Sequence, residues 1–303
     1  MTKTHIPKLE LFDTHAHVGM IHEGCHCESL IHAQFHGQFP SVINVQDDFD
    51  KDYDFQMVGI VSPSTTVDSS RQSIKLAQKY PLLYAAVGIH PNNTGKVNQN
   101  DWSEIVELSK NQYVTAIGET GLDRYWDTVP FEVQRQFFER HLGLSKERNL
   151  PILIHSRDCD DDMLAILGNM AKVSPVYGII HSFSSTPDVA ERYLDMGLSI
   201  SFSGAVTYTN RKFSGLREAA KIVPDERLII ETDSPFLTPH PYRGKLDNNV
   251  PLMTAFTAKT LASLRGTTIE TITDVTTANA RKIFRKNNGF PNGDWSADSK
   301  GLQ

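Results

Sequence analysis

Short apolar windows alternate with longer amphipathic segments along most of this chain. Six segments have the composition and apolar spacing of helices, and they cover residues 67–80, 101–110, 131–149, 161–172, 187–196 and 211–223. Eight apolar windows rich in β-branched residues predict strands at 9–18, 56–63, 83–90, 113–119, 151–156, 177–183, 198–204 and 228–233. Strands that alternate with helices predict βαβ units and a parallel sheet.

The strand windows are apolar at nearly every position, which indicates burial on both faces, as in a barrel or a doubly wound sheet. Polar residues follow almost every window, and barrel enzymes build their active sites at that end of the strands. No G-x-G-x-x-G opens a helix and no Walker A loop is present, which disfavours a nucleotide-binding sheet. We therefore predict an α/β protein with the (β/α)8 TIM-barrel fold.

A chain of 303 residues has the length of one such barrel, which typically needs about 250 residues. We expect a single hydrolase domain over residues 1–286, in which 19–55 forms a divergent lid or loop over the barrel mouth. The turn-rich and then polar segment 287–303 is expected to be a C-terminal tail.

Composition narrows the class of protein and its partners. Hydrophobic residues make up 39% and charged residues 22% of the chain, as in a soluble globular protein. No apolar run reaches the roughly 18 residues of a membrane span, the start lacks a signal-peptide core, and three cysteines do not form a disulfide framework. We therefore expect a cytoplasmic protein with no membrane association and no obligate protein partner. A net charge of −6 argues against broad wrapping of duplex nucleic acid, although a local site could still bind phosphate.

The candidate chemistry lies at the ends of the strand windows. His15 and His17 are two positions apart, so a strand would turn both imidazoles to one face. Later windows end in a similar way, and together these positions offer six nitrogen and oxygen ligands: His15, His17, Glu119, His155, His181 and Asp233. This set predicts a two-metal hydrolase.

Each of these residues also has a structural explanation. A lone histidine in a core is more often hydrogen-bonded than metal-bound, and Glu119 could be salt-bridged. However, a carboxylate that directly follows an apolar strand is costly to bury without a compensating cation. His155 and His181 have matching surroundings, which favours a shared ion. Asp233 could bind metal and also take a proton from water, whereas Glu231 is better placed for a supporting role.

Seven ordered motifs resemble the TatD family of metal-dependent deoxyribonucleases, which are amidohydrolase-like TIM barrels. They cover residues 13–17, 88–91, 117–123, 154–158, 181–184, 231–235 and 241–245, within a resemblance that runs from about 10 to 285. The resemblance implies that His15, His17, Glu119 and Asp233 hold one ion. Glu119 would bridge to a second ion on His155 and His181. The expected cofactors are therefore two divalent metal ions (Mg²⁺, Mn²⁺ or Zn²⁺), with Asp233 and Glu119 as catalytic residues.

The implied activity is hydrolysis of phosphodiester bonds at DNA ends, single-stranded or duplex, by a metal-activated water. Candidate phosphate contacts are His90, Arg157, Arg243 and Lys245. Candidate residues that orient the metal ligands are Asp13, Asp123 and Asp158. Two alternatives stay open: a binuclear hydrolase that acts on a non-nucleic-acid ester, amide or lactone, and an inactive metal-binding scaffold.

The chain departs from the family pattern in places. Ala16 replaces a usual cysteine, and Val250 replaces a usual glutamate. Within 19–55, residues 22–26 match the zinc-protease motif H-E-x-x-H. Gly24 disfavours the helix that this motif needs, so we interpret the segment as a loop or lid, with an extra metal site on Cys25, His26 and Cys27 as the alternative.

Overall fold

The computed structural model describes residues 6–20, 48–49, 53–126 and 128–284. Its eight strands form one parallel sheet in which each strand pairs with the next along the chain. The strands are β1 (Lys8–Asp13), β2 (Asp54–Ser62), β3 (Leu83–Val87), β4 (Val114–Asp123), β5 (Ile152–Arg157), β6 (Gly178–Ile180), β7 (Ser199–Phe202) and β8 (Leu228–Ile230).

The sheet curls until the segments that follow β8 and β1 meet. Ala16 and Ser234 form an isolated parallel bridge. Next to it, the backbone N–H of Asp233 donates to the His15 carbonyl at 2.8 Å, and that of His17 donates to Ser234 at 2.7 Å. The result is a nearly closed barrel with helices between the strands, which confirms the predicted (β/α)8 class.

Eight helices surround this sheet in the described residues: α1 (Val67–Lys79), α2 (Asp101–Leu108), α3 (Phe131–Arg148), α4 (Asp160–Ala171), α5 (Pro187–Asp195), α6 (Ser214–Ile222), α7 (Thr254–Arg265) and α8 (Ile269–Ile283). The first six lie within three residues of the predicted segments at both ends. Helices α7 and α8 follow β8 and were not predicted.

The core has an outer and an inner part. The larger cluster fills the space between strands and helices. The smaller one includes alternate strand residues, among them Leu153, Ile179 and Ile229, together with Phe284 after α8. Successive side chains of a strand alternate between faces, so the side chains two residues further along project into the barrel above this inner layer. Those residues are His155, His181 and Glu231.

Several strand boundaries differ from the predicted ones. Strand β1 ends at Asp13 and β8 at Ile230, so His15, His17 and Asp233 lie just beyond their strands. Their positions therefore depend on the barrel closure and not on the alternation of side chains along a strand.

Strand β4 continues to Asp123, past the predicted end at Glu119, and its register with β5 shifts between Ile117 and Thr120. Two glycines permit the close approach of these strands. Gly118 and Gly121 have φ of 144° and 146°. A Cβ on Gly121 would lie 1.9 Å from the His155 carbonyl oxygen, so a larger residue would push the strands apart.

The predicted lid and tail fall mostly or wholly outside the described residues, as does the motif at 22–26, so these stay predictions. Among the helices that the structure describes, none combines the length and apolarity needed to cross a bilayer.

Candidate metal centre

Glu119 lies at the centre of the residues that the sequence predicted as ligands, and its side chain is only 4% exposed. One carboxylate oxygen, Oε2, is 3.4 Å from His15 Nε2 and 3.5 Å from His17 Nε2. The other, Oε1, is 3.1 Å from His155 Nδ1 and 2.9 Å from His181 Nε2. The two oxygens therefore face two different pairs of histidines.

We call His15, His17 and Asp233 the closure group, since the barrel closure places all three. Asp233 Oδ1 is 3.8 Å from His15 Nε2 and 3.6 Å from His17 Nε2. Asp233 has a left-handed backbone, with φ of 56°, which aspartate adopts more readily than most residues. The side chain of Asp233 is thus brought to those of His15 and His17, which are distant from it in sequence, by main-chain hydrogen bonds.

We call His155 and His181 the sheet group, because β5 contains one and β6 ends directly before the other. Each imidazole has a carboxylate on the nitrogen that points away from Glu119. Asp123 Oδ2 is 3.2 Å from His155 Nε2, and Glu231 Oε1 is 3.3 Å from His181 Nδ1. Such carboxylates commonly fix the tautomer and orientation of metal-binding histidines.

His90 has a different hydrogen-bonding pattern from these four histidines. Its Nδ1 accepts a hydrogen bond from the Asn92 backbone N–H at 3.1 Å. Burial lowers the pKa of His90 to about 3, so the ring is neutral and carries its proton on Nε2. That nitrogen lies 3.5 Å from Glu119 Oε1. His90 is therefore arranged to donate a hydrogen bond from Nε2, and His90, Glu119 and His155 also lie close enough to one another to hold an ion.

Electrostatics around Glu119 favour positive charge. Burial alone would raise the pKa of Glu119, but the neighbouring histidines hold it well below its usual range. Burial opposes the charged form of His181, yet Glu119 and Glu231 raise its pKa well above the ordinary value. A divalent ion would supply this positive charge more strongly than an imidazolium does.

The donor set fits divalent ions. Ligand atoms about 2.1 Å from one ion lie about 3.0–3.4 Å apart. The sheet-group nitrogens and Glu119 Oε1 are 2.9–3.2 Å apart, and the closure-group atoms are 3.4–3.8 Å from Glu119 Oε2 or from one another. His15, His17 and Asp233 lie close enough to one another to hold an ion. Both ring nitrogens of His15 are buried with no hydrogen-bond partner among the described residues, and such atoms usually have one. A bound ion would satisfy Nε2.

The remaining predicted residues lie around this centre. Asp13 is fully buried and accepts from the backbone N–H groups of His15 at 3.1 Å and Thr232 at 3.0 Å, so it holds the closure segments together. Asp158 is exposed, at a turn with φ of 54°. Its side chain has no recorded contact with the centre in the described ranges.

The predicted cationic contacts are all exposed. The guanidinium of Arg157 lies 3.8 Å from the Tyr125 ring centre, and that of Arg243 lies 4.0 Å from the Tyr208 ring centre. Lys245 Nζ is 5.7 Å from the centre of the Tyr242 ring. All three therefore lie beside aromatic rings.

Sequence reasoning missed Asn92, Tyr125 and Trp126. Asn92 Nδ2 donates to Asp123 Oδ2 at 2.9 Å and so helps to orient the partner of His155. Tyr125 and Trp126 follow Asp123 and are about half exposed. The sequence pattern that could have indicated Tyr125 and Trp126 is a pair of adjacent aromatic residues just after the polar end of β4. Val250, at the departure from the family pattern, is buried in the outer core.

Comparison with known proteins identifies the family of this chain. The family model described as TatD related DNase matches residues 12–285. The metal-dependent hydrolase YabD of Bacillus subtilis is 36% identical over 277 residues, which cover 91% of this chain and 100% of YabD. The metal-dependent hydrolase YcfH of Escherichia coli K12 is 33% identical over 268 residues, which cover 88% and 95% of the two chains.

A solved structure gives the same result. The crystal structure of YjjV, a TatD homologue from Escherichia coli K12, superposes with a TM-score of 0.76 at 26% identity. The match covers 90% of this chain and 97% of that one. With a family match over nearly the whole barrel and a buried set of histidines and carboxylates at its mouth, this chain belongs to the TatD family of metal-dependent hydrolases.

Proposed function

We propose that this protein is a two-metal phosphodiesterase that removes nucleotides from DNA ends. The observation that carries the proposal is the position of the Glu119 carboxylate. One of its oxygens faces the histidines of the closure group, and the other faces those of the sheet group. A carboxylate can bridge two ions in this way, whereas a site for one ion would need only one such group.

One ion would be held by the closure group and Glu119, and the second by the sheet group and Glu119. Histidine nitrogens and carboxylate oxygens suit Zn²⁺ and Mn²⁺, and phosphoryl chemistry also commonly uses Mg²⁺. Divalent ions bound there would lower the pKa of an attacking water and stabilise negative charge on the phosphate.

The protein's own residues supply the proton transfer and the orientation of substrate. Water oxygen forms a new bond to phosphorus while the bond from phosphorus to the leaving sugar oxygen breaks. The Asp233 carboxylate, whose Oδ1 faces both histidines of the closure group, takes on its other oxygen the proton that the water loses. His90 donates from Nε2 to a phosphate oxygen, and the leaving oxygen is protonated by solvent.

Charge around the mouth supports a phosphate-bearing substrate. Arg157, Arg243 and Lys245 are exposed cations in a chain whose net charge is −6. A few local cations on an acidic protein favour a substrate that presents its negative charge at one point, such as the end of a DNA strand. The description of the matching family model as TatD related DNase supports DNA as that substrate.

The test is nucleotide release from end-labelled single-stranded and duplex DNA by chelator-stripped protein, with Mg²⁺, Mn²⁺ or Zn²⁺ restored singly. We expect ion-dependent trimming that the Glu119→Gln variant lacks. A neutral ester, an amide and a lactone are assayed in parallel. Turnover of one of these, with intact DNA under every ion, would replace the proposal with hydrolysis of a different bond.

A further inference from the structure

Two aromatic rings are exposed beside the metal centre, at the end of β4. The side chains of Tyr125 and Trp126 are 53% and 50% exposed. Their ring centres are 5.0 Å apart, with ring planes at 87°. Single exposed apolar residues are common on protein surfaces, but two adjacent large rings at a barrel mouth offer two ring faces, set nearly at a right angle, on which a flat ligand can stack.

The main chain of these residues is tied to the candidate metal ligands. Asp123 Oδ1 accepts from the backbone N–H groups of Tyr125 at 2.8 Å and Trp126 at 3.0 Å. The other oxygen of the same carboxylate faces His155. Asp123 therefore fixes the backbone of Tyr125 and Trp126 relative to His155 of the sheet group. A ligand that stacks on the two rings would lie next to the metal centre.

A cation accompanies the rings. The guanidinium carbon of Arg157 is 3.8 Å from the Tyr125 ring centre and 5.9 Å from that of Trp126. In the described ranges, no carboxylate pairs with Arg157. The neighbouring Arg124 differs, because its Nε and Nη2 donate to Asp162 at 2.7 and 3.0 Å. Arg157 thus combines ring stacking with donors that remain available for an anion.

We propose that Tyr125, Trp126 and Arg157 form a subsite that stacks one unpaired nucleobase and holds its adjacent phosphate. The proposal rests on the proposed function and names a binding site within it. Aromatic side chains next to a cationic groove are the usual way in which proteins hold single-stranded nucleic acid. A planar anionic ligand fits rings and guanidinium together, whereas an apolar protein partner would use only the rings.

The subsite also determines which kinds of DNA end can reach the candidate metal centre. A base inside a duplex is stacked on its neighbours and paired, so its face is not available to Trp126. A frayed or single-stranded end offers that face without the cost of unstacking. The terminal base would bind on the rings while the adjoining phosphate reaches the centre.

Binding and cleavage of two octamers test this subsite. One is oligothymidylate, and the other has tetrahydrofuran abasic units with the same phosphates but no bases. Affinity is measured by anisotropy of a 5′ fluorophore in excess chelator, and kcat/KM is measured with the working ion. The readout is the preference of each protein for the base-bearing octamer over the abasic one.

We expect Trp126→Leu to reduce this preference about 5- to 150-fold, the range that follows from loss of one stacked base. Trp126→Phe should retain most of it, since a ring remains. Arg157→Gln should weaken binding of both octamers. Arg124→Gln is the matched control, because the Arg124 charge is already paired with Asp162. This variant should change the binding of neither octamer. Circular dichroism melting verifies that each variant is folded.

The outcomes separate the two proposals. If wild type cleaves neither octamer nor any other DNA with any ion, the proposed function fails. If wild type cleaves DNA but Trp126→Leu keeps the full preference for bases, the stacking subsite is wrong and the phosphodiesterase stands. If Trp126→Leu weakens the binding of both octamers equally, the rings support the structure and the subsite is wrong. If the variant alters only self-association of the protein, the rings form a protein contact and the subsite is also wrong.

Discussion

The closure group and the sheet group hold their imidazoles by different means. In the sheet group, Asp123 and Glu231 orient His155 and His181 through their outer nitrogens. In the closure group, His15 has no hydrogen-bond partner on either nitrogen in the part of the chain that is described. Main-chain bonds across the barrel closure hold it instead. Side chains therefore preorganise one half of the centre, and the backbone positions the other.

This difference predicts unequal ion affinities. A histidine whose outer nitrogen is held by a carboxylate is a better oriented and more basic ligand. The sheet group should bind its ion more tightly, while the closure group should fill at higher ion concentration. Calorimetric titration of stripped protein would show two steps if this is correct. Five variants test this difference between the two groups.

The largest effect is expected from Glu119→Gln, because an amide cannot bridge two cations as a carboxylate does. Activity should fall at least about 10³-fold, which corresponds to loss of several kcal/mol of stabilisation. Both ions should be lost or weakened in the titration. The exposed Glu191→Gln on α5 is the matched control. Retention of tight binding at both steps would disprove the bridge.

Asp233→Asn should reduce kcat by about 10² to 10⁴, the usual contribution of a positioned acid or base. Because the amide oxygen still faces His15 and His17, the variant should fold and bind the sheet-group ion normally. Steady-state kinetics with metal analysis separates these effects. An unchanged kcat at full ion occupancy would remove Asp233 from proton transfer.

Asp123→Asn and Glu231→Gln should each weaken the tighter ion-binding step by about 10- to 100-fold. The weaker step should change little, since neither carboxylate faces a histidine of the closure group. Titration calorimetry resolves the two steps. A loss confined to the weaker step would invert the comparison between the groups.

Thr232→Val should act on stability. The Thr232 hydroxyl donates to Asp13 Oδ2 at 2.5 Å and accepts from the Ser234 N–H at 3.1 Å. Its removal leaves these buried groups without a partner, at a cost of about 1–3 kcal/mol. Thermal melting should show a lower midpoint than wild type or the exposed control Thr267→Val. The tighter ion-binding step should persist, and its loss would mean that closure also supports the sheet group.

The sequence contained enough pattern for the barrel and for six helices. The apolar pattern does not predict α7 and α8, for a different physical reason in each helix. In α7, residues 254–258 are all buried, so the first half of the helix has no exposed polar face. In α8, three of the seven buried residues are threonines. Thr276 donates back to the Ile272 carbonyl at 2.8 Å, and Thr277 donates to the Glu10 carbonyl at 2.9 Å. A search for apolar spacing overlooks such positions.

The candidate ligands were predictable because strand ends of a parallel barrel share one edge, whatever the exact end of each strand. The orienting contacts were harder to foresee. Asp123 was predicted for this role, but its contact with His155 depends on the continuation of β4 past the register shift at Glu119. Asn92 reaches Asp123 only because of the turn after His90. Spacing along the chain does not encode such distances.

Barrel closure also determines when during synthesis the protein can become active. The closure group joins His15 and His17 to Asp233, and Asp233 N–H is bonded to the His15 carbonyl. A nascent chain on the ribosome has the two histidines early but lacks their partner until β8 has emerged. On the proposed mechanism, an incomplete chain lacks the closure-group ion site, and hydrolysis requires the assembled barrel.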